Sequence, residues 1–199
     1  PSQTPVPHRH THGSRNRFGY FGNLNPWKGI LPLLQSAKLL HAAGETGIEL
    51  RIHGGAPFQS ESFTTALDKA LAEAGANVTH CGPYRREEMP GLMAEIDWVV
   101  MPSIWYENAP LVIQEAFQHL RPVITSNIGG MAEMVRDGVD GLHARPGDPR
   151  HLAQVLRRAA SEDGLWHRLV GGIEPPSGMD DCAQAHLALF DQLKLAEAA

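Results

Sequence analysis

The chain has 199 residues, a formal net charge of −5 and 42% hydrophobic residues, which suits one sizeable soluble domain or at most two small ones. No basic run accompanies that balance, so nucleic acid is not the expected partner and an acidic membrane surface gains little from this portion. Cys81 and Cys182 stand far apart, giving neither a metal spacing nor a disulfide framework, and no apolar run approaches the roughly 18 residues of a membrane helix.

Taken in order, residues 1–16 hold Pro1, Pro5 and Pro7 and little apolar surface, and read as a linker or disordered entry. Its His8, His10 and His12 read as solvated rather than metal-binding. The main domain is expected over 17–163, with 164–199 forming C-terminal helices that complete it. Phe18 to Gly22 is a short strand ending in glycine, Asn23 to Gly29 a turn, and Leu31, Leu34, Ala37 and Leu39 mark a helix. A first strand-to-helix loop is where doubly wound sheets bind ligands. Gly22, Asn23 and Lys28 lie there, with a merely solvated Lys before a helix as the lesser reading.

Gly47 to Gly55 alternates and stops at two glycines, marking a second strand whose end lets another group approach closely. His53 at that end is a candidate ligand contact, set against the commoner locally hydrogen-bonded His. Phe63, Leu67, Ala70, Leu71 and Ala74 trace an amphipathic helix, and Asn77 to Cys81 a third strand followed by Gly82-Pro83-Tyr84. Glu87 and Glu88 read as the acidic opening turn of the next helix.

Asp97 to Met101 is an apolar strand that runs into a polar loop carrying Glu107, then into a helix in which Leu111, Val112, Ala116 and Phe117 share one face. Asn108 is expected to cap that helix and Pro110 to fit its first turn, leaving amides that point into the loop as an anion site. Glu115 falls on the face expected to be buried, so it needs partners. It sits about 7.5 Å along the axis from Pro110, which lets Glu107 and Glu115 face one ligand. Arg121 to Ser126 reads as a fifth strand, Gly129-Gly130 opens a short helix, and Gly141 to Ala144 is the last strand. Asp148 caps the helix of Leu152, Val155, Leu156 and Ala159. The regular alternation indicates an α/β fold, a Rossmann-like doubly wound parallel sheet of about six strands with helices on both faces. Order 3-2-1-4-5-6 is expected by analogy with such folds.

Glu107 and Glu115 with seven residues between them, the Pro122-Val-Ile strand, Gly129-Gly130 and the segment Asp137 to Leu142 resemble the GT4-type retaining glycosyltransferases of GT-B fold, over roughly residues 17–160. The resemblance implies the donor-binding, C-terminal domain of an enzyme that takes a sugar from a UDP or GDP sugar without metal or other cofactor. Glu107 and Lys28 become the catalytic candidates, Lys28 holding the donor diphosphate and Glu107 the sugar hydroxyls. Glu115 accepts the ribose hydroxyls. The remaining donor contacts implied are Gly22, Asn23, His53, Asn108, Ala109, Pro110, Leu111 and Val112, with Pro83 and Tyr84 at the nucleobase. Asn23 stands where the family has an Arg, which removes a fixed charge and a bidentate contact. The nucleotide sugar and an N-terminal acceptor-binding domain are the implied partners, and the location implied is cytoplasmic, with any membrane contact made through that other domain. A non-catalytic nucleotide-binding or scaffold module and a sugar-nucleotide epimerase-like domain are the alternatives. No Gly-x-Gly-x-x-Gly follows the first strand and no Gly-x-x-x-x-Gly-Lys-Ser/Thr occurs, which disfavours a nicotinamide enzyme and a P-loop ATPase.

Overall fold

A computed structural model describes residues 13–197, with Pro5 and Pro7 before them; the histidines at 8, 10 and 12 lie outside the described residues. Six strands alternate with helices: β1 (Arg17–Phe21), α1 (Ile30–Ala42), β2 (Glu49–His53), α2 (Glu61–Glu73), β3 (Val78–Gly82), α3 (Met89–Ala94), β4 (Trp98–Met101), α4 (Leu111–Gln118), β5 (Val123–Ser126), α5 (Gly129–Met134), β6 (Gly141–Ala144), α6 (Pro149–Ser161), α7 (Leu165–Gly172) and α8 (Met179–Glu197). The strands form one sheet of order β3-β2-β1-β4-β5-β6, every neighbouring pair parallel. This is the expected order. It puts β1 beside β4, the point at which the chain reverses its direction across the sheet and where open α/β sheets leave a crevice at the strands' C-terminal ends.

The central strands are apolar because both faces are covered. All four residues of β4 are buried, Trp98 and Val100 in a core shared with α1, α2, α6 and α7, Val99 and Met101 in a second core shared with α3, α4 and α5. Alternate residues of one strand thus serve opposite layers, as period-two geometry requires. Asp148 accepts from the amides of Arg150 and His151 at the start of α6, the expected cap. α8 presents Leu187, Leu189, Phe190 and Leu193 to solvent.

The chain enters the fold before β1. Arg15 and Asn16, assigned by sequence to the entry segment, already pack on the domain. Trp98 Nε1 donates to the Arg15 carbonyl at 2.8 Å, the Arg15 guanidinium lies 4.3 Å from the Trp166 ring centre, and the Glu49 amide donates to the Asn16 carbonyl. Their anchor is Asp97, fully buried and bound by Arg17 through its amide at 2.9 Å and its Nε at 3.1 Å. A buried carboxylate is tolerable only with such partners. From sequence Asp97 only starts a strand, since Arg15 and Arg17, which bind its carboxylate, lie 82 and 80 residues away.

Candidate functional site

Two loops meet over the reversal point. In the loop after β1, Asn25 Oδ1 accepts from the amides of Trp27 and Lys28, both at 3.0 Å, closing a single turn over Pro26–Lys28 that fixes where the Lys28 stem leaves the backbone. The loop after β4 is fastened to it: the Ile104 amide donates to the Trp27 carbonyl at 2.9 Å. Its far end is held by α5, whose Gly130 amide donates to the Glu107 carbonyl at 2.8 Å. A Cβ at Gly130 would lie 1.6 Å from the Asn108 carbonyl oxygen, so only glycine lets α5 come this close.

Between these loops Lys28 Nζ donates to Glu107 Oε1 at 2.6 Å, with 34% and 17% of the two side chains exposed. The Ser103 hydroxyl lies 3.1 Å from the same carboxylate oxygen and 2.9 Å from the Trp27 carbonyl. The pair opens onto a cleft of about 550 Å³, a size ordinary for a small-molecule site. Gly22, Gly54 and Gly55 line it, and a Cβ at Gly54, which has φ +155, would lie 1.9 Å from the Gly22 carbonyl oxygen. That lining is therefore bare backbone that a ligand can approach closely.

The cleft brings together Gly22, Asn23, Lys28, Pro83, Tyr84, Glu107, Pro110, Leu111, Val112 and Glu115. His53 is not among its lining. It is 6% exposed and stacks on Phe21 at 4.9 Å, with Tyr84 edge-on to both rings, and burial lowers its pKa, with Arg51 adding to the effect. The His belongs to the packing behind the wall. Asn108 and Ala109 are exposed and do not line the cleft either.

The start of α4 differs from expectation. Pro110 is itself the N-cap, with extended backbone and no side-chain cap, so Asn108 caps nothing and Pro110 lies just outside the helix. Leu111 and Val112 consequently fall in its first turn, at the cleft. Leu111 is 64% exposed, and the buried stripe runs through Ile113, Ala116 and Phe117. Glu115 stands at the edge of that stripe as a half-buried cleft residue. Burial raises its pKa, and Arg86 acts against the rise.

Tyr20, Phe21, Gly54, Gly55, Arg86, Met89 and Met101 also line the cleft and were not picked from sequence. The Gly54-Gly55 stop carried a signal, since paired glycines at a strand end mark close approach. Arg86 carried none, standing beside Arg85 and ahead of Glu87 and Glu88. Tyr20 is buried against the cleft wall and donates its hydroxyl to the Asn23 carbonyl at 3.0 Å. Burial first, then Tyr84 and Glu107, push its pKa well above the usual phenol range. Among the described residues no group of three His, Cys, Asp or Glu could hold a metal ion, and no helix is long and apolar enough to cross a membrane.

A parallel sheet reversing between β1 and β4, with Lys28, the start of α4 and bare glycine backbone around a cleft at that reversal, defines a Rossmann-like domain. The chain belongs to the group 1 glycosyl transferases: the sequence model of the family Glycosyl transferases group 1 matches residues 15–162. It is 30% identical over 164 residues to a D-inositol 3-phosphate glycosyltransferase from a Nocardioides species, covering 77% of this chain and 36% of that protein. The crystal structure of Anabaena HepE in complex with UDP and glucose superposes with a TM-score of 0.70 at 26% identity, covering 79% of this chain and 42% of that one. The C-terminal domain of the group 1 protein LpcC from Francisella tularensis shares the fold, with a TM-score of 0.70 at 19% identity, covering 86% of this chain and 92% of that domain. The chain thus spans well under half of the first two proteins and nearly all of the isolated domain.

Proposed function

We propose that this chain is the donor-binding domain of a GT4-type glycosyltransferase that moves a hexose-type unit from a nucleoside diphosphate sugar to an acceptor with retention of anomeric configuration. The observation that carries this reading is the Lys28–Glu107 pair at the mouth of the glycine-lined cleft in a chain of the group 1 family. Glycosyl transfer releases a diphosphate while an oxocarbenium-like sugar forms. The protein must therefore stabilise departing negative charge with groups already in place. Lys28 and the start of α4 supply that stabilisation, Glu107 holds the sugar hydroxyls, and Glu115 takes the ribose. None of these roles needs a metal ion. The acceptor pocket comes from a facing N-terminal domain, which fits the 36% share of the Nocardioides relative that the chain covers, and the whole protein acts in the cytoplasm or at the inner face of a membrane.

Calorimetry with UDP and GDP in the presence of chelator tests the binding half of the proposal: binding in chelator is expected, and binding that appears only with added magnesium or manganese overturns the site. The anomer formed, read by NMR of the product of a turnover reaction, tests retention. A non-catalytic binder is the second reading, favoured by Asn23 in place of the family Arg. Nucleotide binding without any hydrolysis or transfer of the donor, with the facing domain present, would establish it.

A further inference from the structure

The four tryptophans of the chain are of two kinds. Trp98 and Trp166 are tied into the fold, their indole Nε1 groups donating at 2.8 Å to the carbonyls of Arg15 and Asp97. Trp27 and Trp105 are 57% and 55% exposed, and their indole N–H groups have no hydrogen-bond partner among the described residues. These two rings meet each other, centres 5.3 Å apart at an interplanar angle of 61°. Apolar rings gain from burial, so packing alone does not account for two large ones in contact at the surface. The backbone beneath them is fastened across two loops. The Ile104 amide donates to the Trp27 carbonyl at 2.9 Å, and the buried Ser103 hydroxyl lies 2.9 Å from that carbonyl and accepts from the Trp105 amide at 3.4 Å. Such preorganisation lowers the entropy a ligand must spend on ordering the rings.

Neither ring lines the cleft. Trp27 precedes Lys28 and Trp105 stands two residues before Glu107, with about 3.8 Å between consecutive Cα atoms. The pair therefore sits beside the two side chains proposed to hold the diphosphate and the transferred sugar. Open indole faces with free N–H donors suit a ligand that is apolar on one side and carries acceptor oxygens at its rim. A pyranose has that character, with C–H groups on its faces and hydroxyls around its edge. An acyl chain would leave the indole donors without acceptors. An anionic partner is also poorly served, since the adjoining cation, Lys28, is already paired with Glu107. Resting on the reading of the chain as a glycosyltransferase donor domain, we infer that Trp27 and Trp105 form a saccharide platform that stacks against a pyranose face of the acceptor and holds it beside the transferred sugar.

The test is NMR titration of the isotope-labelled chain in excess UDP, read at the indole N–H signals, which Trp27→Phe and Trp105→Phe assign. Three probes carry a ring: methyl β-D-glucopyranoside, methyl α-D-mannopyranoside and methyl β-D-galactopyranoside. Sorbitol supplies hydroxyls without a ring, and hexanol an apolar body. At least one glycoside is expected to move the Trp27 and Trp105 signals with a Kd in the millimolar range while Trp98 and Trp166 stay in place, and sorbitol is expected to move none. Trp27→Ala and Trp105→Ala are each expected to weaken that glycoside about fivefold and to leave UDP affinity within about twofold. Both rings are exposed, so these variants are expected to fold, and matched thermal midpoints check it. The platform is overturned if no glycoside moves the two signals, if sorbitol moves them equally, or if both Ala variants bind the glycoside like wild type. A response to hexanol alone also overturns it and marks the pair as an apolar contact for another protein surface. UDP binding in the same samples separates the two claims. UDP bound without a glycoside response rejects the platform alone, whereas a chain that binds no UDP loses the donor reading and the acceptor role with it.

Discussion

Lys28 Nζ lies 2.6 Å from Glu107 Oε1, so the cation proposed for the donor diphosphate is held by a carboxylate of the same site. A diphosphate that takes Lys28 must compete with Glu107, and Glu107 then becomes available to a sugar. Glu107→Gln keeps the shape and removes the competing charge. It is expected to tighten binding of a bare diphosphate such as UDP by about threefold to tenfold, which corresponds to about 0.7–1.4 kcal/mol, while transfer from the nucleotide sugar drops. Calorimetry and a donor-turnover assay on the same preparation read both. Weaker UDP binding by the Gln variant means that Glu107 orients Lys28 rather than occupying it.

Lys28→Ala is expected to weaken the diphosphate by about 1.5–3 kcal/mol, the range for a hydrogen bond to a charged group, and to leave the bare nucleoside nearly unchanged. The contrast matters because Lys28 sits on a short capped turn whose distortion would affect both ligands. Equal losses for diphosphate and nucleoside point to damage in the loop. Wild-type affinity for the diphosphate is also expected to fall with added salt, as it does for partly exposed charges.

Element order and the covered parallel sheet were legible in the sequence because strands buried on both faces read as apolar runs between helical periods, and Trp98–Met101 and Val123–Ser126 are of that kind, whereas the strand order came by analogy with doubly wound folds. Ten residues named for the site line the cleft because they follow strand ends, where the fold itself places loops. What was not legible depends on tertiary direction. The role of His53 could not be read because the outcome rests on Phe21 stacking on its ring and Tyr84 standing edge-on to that stack. Nor does a sequence reveal that the α4 helix starts one residue later than Pro110 suggests, which turns Leu111 out of the core. Arg86 was silent because an arginine among charged neighbours looks the same whether it faces solvent or a cleft.

The contact between Gly130 and Asn108 leads to a test of how the Glu107 loop is held. Gly130→Ala puts a methyl where the Asn108 carbonyl now lies and endangers the hydrogen bond from its amide to the Glu107 carbonyl. Overpacking of this kind typically destabilises by about 1–3 kcal/mol, and the loop is the part free to move. Gly130→Ala is expected to lower the urea midpoint by an amount in that range and to reduce donor turnover further than its folded fraction explains. An unchanged midpoint together with full turnover would mean that the loop relaxes at no cost.

Glu115 sets folding and binding in opposition. Its raised pKa means that the folded state holds the proton more tightly than the unfolded chain does, so a charged Glu115 opposes folding at neutral pH and the opposition fades as pH falls. Glu115→Gln is therefore expected to raise the thermal midpoint of the ligand-free chain at pH 7. That gain shrinks as pH drops through the raised folded pKa and is gone below the ordinary Glu value of about 4.3. Binding runs the other way. If the carboxylate accepts ribose hydroxyls, deleting a hydroxyl strands a half-buried acceptor at about 1–3 kcal/mol, and Glu115→Gln narrows the gap between ribo and deoxy ligands. A cycle of wild type and Glu115→Gln against UDP and its 2′-deoxy and 3′-deoxy forms is expected to give a coupling above about 0.5 kcal/mol for at least one hydroxyl. The ribo preference of wild type is also expected to fade at acid pH, in the range where the carboxylate takes up its proton. Identical discrimination by both proteins, with the stability gain still present, leaves Glu115 as a strained charge at the cleft edge and removes it from the nucleotide site.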